Sequence, residues 1–185
     1  MNMNSLIKKS VFLAVILALV FGFAYTLAQQ VMRQSANDAP TVIARDAAAK
    51  LAIGEAPDFL RTNAYGTVDL AKSLAPFIIT FDGKGMVLAS TATLNGQTPV
   101  PPEGVFADAK KHGEDRVTWQ PAKGVRIAAV LTYYGGSREG FALAGQSLQL
   151  VENRASSLEF MTFWAWLVTV IIAIIGLIYI SDRRR

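Results

Sequence analysis

The chain has 185 residues, of which 52% are apolar and only 17% charged, below the ~25% of a soluble globular chain; a disordered polymer is therefore excluded. With no cysteine and one histidine, His112, disulfide frameworks, zinc–cysteine centres and multi-histidine metal sites are excluded too. The formal charge of +4 lies in the tails: five basic residues and one acid sit there, and residues 29–159 carry 13 Lys/Arg against 13 Asp/Glu, so the folded part has no basic footprint for nucleic acid.

Two segments hold the apolar excess. Residues 11–28 (VFLAVILALVFGFAYTLA) carry no charge, and neither do residues 160–180 (FMTFWAWLVTVIIAIIGLIYI). As helices these 18 and 21 residues span about 27 and 32 Å, close to the ~30 Å hydrocarbon core of a bilayer. Trp164, Trp166 and Tyr179 lie toward the ends of the second, where interfacial aromatics belong. The first has two readings, a retained anchor or a cleaved signal peptide with Lys8 and Lys9 as its basic head. Its apolar run exceeds the usual 7–15 residues of a signal core, which favours the anchor. Lys8, Lys9, Arg183, Arg184 and Arg185 then hold both ends in the cytoplasm, and the central region faces the periplasm or the exterior. The expected layout is a 1–10 tail, a span at 11–28, a domain at 29–159, a span at 160–180 and a 181–185 tail.

Residues 29–54 have helical spacing, with a break expected near Asp38, a candidate cap ahead of Pro40. Residues 68–74 keep weak helical spacing. Strands follow at 77–81 and 86–90, joined by the turn Asp82-Gly-Lys-Gly85. A short helix at 103–111 ends at His112-Gly113. Three more strands are expected at 115–120, 125–134 and 140–145, and a helix from 147 runs into the second span. The fold class is α+β: a five-stranded antiparallel sheet with flanking helices, between two transmembrane helices.

This order, the Asp82-x-x-Gly85-x-x-x-Ala89-Ser90 hairpin and the helix entering the membrane resemble the PAS-like extracytoplasmic sensor folds, the single Cache (PDC-type) domains of bacterial receptors, over residues 30–158. The resemblance implies a sensor module in the cytoplasmic (inner) membrane of a bacterium. Only Ser-Asp-Arg-Arg-Arg follows Ile180, so no cytoplasmic output domain is expected.

Catalysis finds little support. His112 is an ordinary exposed residue at a helix end, and no GxxxxGK[ST] or GxGxxG motif occurs. Gly83, Gly85, Gly135 and Gly136 read as turn residues, and Glu114-Asp115 as a solvated turn. No metal, no cofactor and no enzyme activity are expected. The candidate ligand residues are Trp119, Arg126, Tyr133 and Tyr134, large groups with hydrogen-bonding ends. Alternation places Arg126, Val130 and Tyr134 on one face and Ile127, Leu131 and Tyr133 on the other, and core filling by Trp119 and one tyrosine stays an open alternative. Small residues recur every four positions at Ala14, Ala18 and Gly22 and at Ala165, Thr169 and Ala173, a pattern that lets membrane helices pack closely and that common Ala and Gly also produce by chance. The expected partners are the bilayer, a membrane protein or a second copy, and a small molecule. The expected role is signal input or interaction, and its alternative is a structural or assembly component of an envelope complex.

Overall fold

The computed structural model describes residues 3–55, 66–136 and 138–182. They form two compact units, Met1–Met32 with Glu152–Arg185, and Arg33–Val151. The elements in chain order are α1 (Met3–Ser35), α2 (Asp38–Ala52), β1 (Val68–Asp69), β2 (Phe77–Asp82), β3 (Val87–Ser90), β4 (Ala92–Thr93), α3 (Glu103–His112), β5 (Glu114–Ala122), β6 (Val125–Tyr134), β7 (Gly140–Ser147) and α4 (Gln149–Asp182).

The first unit consists of α1 and most of α4. Each holds an 18-residue stretch of mean hydropathy 2.5 with none of it buried, so both are long and apolar enough to cross a membrane. On α1 the half-buried residues Leu13, Ala14, Leu17, Phe21 and Tyr25 fall on one stripe, at the spacing of a helix face. The Trp166 indole of α4 donates a 3.4 Å hydrogen bond to the Ala14 carbonyl.

The second unit is α+β. Its five-stranded antiparallel sheet has the order β3-β2-β7-β6-β5, and β1 and β4 form a small parallel pair beside it. Central β2 and β7 are buried almost throughout, whereas the edge strands β3 and β5 keep exposed positions. One face packs Ile79, Phe81, Ile127, Leu131, Phe141 and Leu143 under α3 and β1. The other packs Ile78, Val130, Tyr134, Ala142 and Ala144 under α2. Strand alternation therefore divides β6 as its sequence requires, Ile127, Leu131 and Tyr133 against Val130 and Tyr134. Pro121 is accommodated because β5 is an edge strand whose pairing shifts between Trp119 and Ala122.

Three local readings change. Residues 68–74 are a two-residue strand and a turn instead of a helix: Val68 and Leu70 are both buried against the sheet, and the Asp69 carbonyl accepts the amides of Lys72 and Ser73. The break near Asp38 is present, but Asn37 occupies the N-cap position and Asp38 is the first helical residue, where a carboxylate suits the helix dipole. The last helix starts at Gln149 rather than at 147, because β7 keeps its ladder to β6 through Ser147.

Candidate functional site

The end of the sheet where β2 turns into β3 gathers side chains from three elements. Asp82 shapes the turn: its Oδ1 accepts the amides of Lys84 at 2.9 Å and Met86 at 2.8 Å, and Gly85 takes φ 78°. Glu139, just before β7, lies over this turn. A Cβ on Gly83 would come within 2.8 Å of its Cγ, so the missing side chain there makes room for the carboxylate. Tyr133 Oη, from the end of β6, donates to Glu139 Oε2 at 2.9 Å, and Lys110 Nζ, from the last turn of α3, donates to the same oxygen at 3.2 Å. The Tyr133 hydrogen bond, followed by that of Lys110, holds the Glu139 carboxyl below its usual range. The same bond raises Tyr133, which stays a proton donor.

Beside this cluster a surface cavity of about 450 Å³ is lined by Lys84, Met86, Val100, Glu103, Phe106 and Phe141 among others. Phe106 stands edge-on to Phe81 at 5.0 Å and to Phe141 at 5.2 Å, closing its floor. Two ammonium groups, carboxylates and an aromatic floor suit binding.

A second cluster ties α2 to the sheet edge. Arg45 Nε donates to Glu114 Oε2 at 2.7 Å, and Arg116 Nε to Oε1 at 2.9 Å. Glu114 is thus no solvated turn residue; its side chain is 18% exposed. Partial burial alone would raise this carboxyl, but the hydrogen bonds and charges of Arg45 and Arg116 outweigh it and hold it low. His112 is exposed and lies 3.8 Å from Asp108 one turn back.

The four ligand candidates do not converge. Trp119 is 7% exposed within the α3-side core, and Tyr133 joins the Glu139 cluster on that side. Tyr134 is buried on the α2 side, with its hydroxyl 3.4 Å from the Phe81 carbonyl; burial raises its pKa. Arg126 is exposed, and its carbonyl accepts the Leu148 amide. Lys110, Phe106 and Glu139 were missed as site residues, for nothing in the local pattern marks them; the glycines at Gly136 and Gly140 flag only the turn. Of the small residues, Ala18 and Gly22 line a groove between α1 and α4, Thr169 bonds its hydroxyl to the Ala165 carbonyl at 2.7 Å within its own helix, and Ala173 is half-buried.

No protein-family model matches the chain, and neither a curated protein nor a solved structure matches it.

Proposed function

We propose that this is a two-pass membrane protein with both termini in the cytoplasm, presenting a PAS/Cache-like domain outside as a sensor or interaction module that passes binding to a partner without catalysis. Membrane insertion is supported by two long apolar helices with unburied hydropathic stretches. The PAS-like reading is supported by the sheet order, in which the first long strand, β2, sits between its hairpin partner β3 and the last strand β7. One observation carries the transmitting role. Central β7 begins beside Glu139, at the cavity end of the sheet, and is separated from α4 by the single residue Leu148. A partner engaging Lys84, Lys110 or Glu139 therefore acts on a strand that leads straight into the second apolar helix.

Phe106 supports the second reading, an envelope assembly component. Its ring packs edge-on against Phe81 and Phe141, so the cavity of about 450 Å³ stays at the surface, where a side chain of a partner protein can enter as readily as a small molecule.

Topology is tested with single cysteines in a chain that has none. With a membrane-impermeant maleimide on spheroplasts, Lys123→Cys is expected to label at once and Arg185→Cys only after permeabilisation. Labelling in the opposite order overturns the orientation. A mature amino terminus at Gln29 converts the protein to a cleaved signal with one anchor.

A further inference from the structure

Between α1 and α4 runs an open groove of about 360 Å³. Ala18 and Gly22 floor it, and Phe21, Phe163 and Trp166 wall it. Its volume falls in the roughly 300–1,000 Å³ range of small-ligand sites. Tyr25, Glu159 and Thr162 bring hydroxyl and carboxylate groups to its lining. Glu159 is exposed and has no ion pair or hydrogen bond among the described residues. The Tyr25 hydroxyl accepts a 3.4 Å hydrogen bond from the Gln29 amide and keeps its own proton to donate.

We infer that this groove holds one phospholipid with a primary ammonium head group, of the phosphatidylethanolamine type, an inference that rests on the bilayer insertion proposed above. An acyl chain lies between the rings over the small-residue floor. The ammonium donates to the Glu159 carboxylate, and a phosphate oxygen accepts from Tyr25. Charge selects the occupant. A lone carboxylate beside hydrocarbon repels an anionic head group, and a choline head group has no N–H to offer it. A second copy docking groove to groove would set Glu159 against its own symmetry mate, a like-charge contact in a two-fold interface.

The test uses the full-length protein in nanodiscs holding phosphatidylethanolamine, phosphatidylcholine and phosphatidylglycerol in equal amounts, followed by native mass spectrometry of the lipid retained on release. The ethanolamine lipid is expected to be enriched about tenfold over both others, the ratio one charge-assisted hydrogen bond supplies. Glu159→Gln is expected to abolish that preference while some lipid is still retained. Ala18→Leu, which fills the floor, is expected to lose all three lipids with the melting temperature of the domain unchanged. Equal retention by the unsubstituted protein overturns the inference, as does a preference that survives Glu159→Gln. Quantitative disulfide dimers of Gly22→Cys would assign the groove to a second copy instead. Release of the chain from membranes by alkaline carbonate would refute the bilayer reading itself, whereas membrane retention without lipid preference refutes this inference alone.

Discussion

The two faces of the sheet are built from different materials. On the α3 side Phe81, Phe106 and Phe141 interlock edge to face, backed by Trp119, Ile79 and Leu143. On the α2 side Ala44, Ala47 and Ala48 of the helix meet Ala142 and Ala144 of β7. Large rings remove much apolar surface from water, so the α3 face supplies most of the stability. Alanines remove little, but they let a helix lie close to a strand with no volume to spare. The first face holds the domain together; the second fixes where α2 lies. Since α2 follows α1 after a two-residue turn, the tightly fitted face is the one joined to the first apolar helix.

The largest effect is expected from deleting volume on the aromatic face. Phe81→Ala, at a fully buried ring, should lower unfolding free energy by about 3–5 kcal/mol, read by denaturant titration. A loss under about 1 kcal/mol would mean that the aromatic stack is not the main support. Adding volume tests the opposite face. Ala144→Leu, fully buried against Ala44 and Val130, should cost about 1–3 kcal/mol and speed hydrogen exchange in α2 while leaving α3 unchanged. If α2 exchange stays the same, the α2 face is looser than its alanines imply.

A smaller gain is expected on the same face from Thr132→Val. The Thr132 hydroxyl is buried with no hydrogen-bond partner among the described residues, so removing it should stabilise the domain by about 1 kcal/mol, seen as a higher melting temperature. The smallest effect is electrostatic. Glu114 has its carboxyl lowered from an ordinary value near 4.5, so its contribution is complete above that value and is lost as pH falls through the folded one. Melting temperature should drop below about pH 4.5, and Glu114→Gln should flatten that part of the curve. An unchanged acid slope in the variant would remove the Arg45–Glu114 pair from the contacts that hold α2.

Much of this architecture is legible in the sequence because it is local. The alternation of Ile127, Leu131 and Tyr133 with Val130 and Tyr134 is a period-two signal, and Asp82 with Gly85 encodes a hairpin in four residues. Residues 68–74 misled because Val68 and Leu70 suit either element, and what decides for a strand is pairing with Ala92, far along the chain. The Glu139 cluster was invisible for the same reason. Its partners come from different elements, Lys110 lying 29 residues away, and the Arg45–Glu114 pair spans 69. Such contacts follow from where strands end in space, which spacing in the sequence does not encode.

In the proposed function, events at the cavity end of the sheet reach the membrane through β7 and α4. Hydrogen exchange on the full-length protein in nanodiscs, with and without Glu139→Gln, tests it most directly. Loss of the Glu139 charge, just before β7, weakens its bonds to Tyr133 of β6 and Lys110 of α3. Transmission by this route gives faster exchange in residues 140–147 and in the first turns of α4, residues 149–155, with β5 unchanged. Faster exchange confined to residues 103–112 and 133–139, with α4 unaffected, would contradict it.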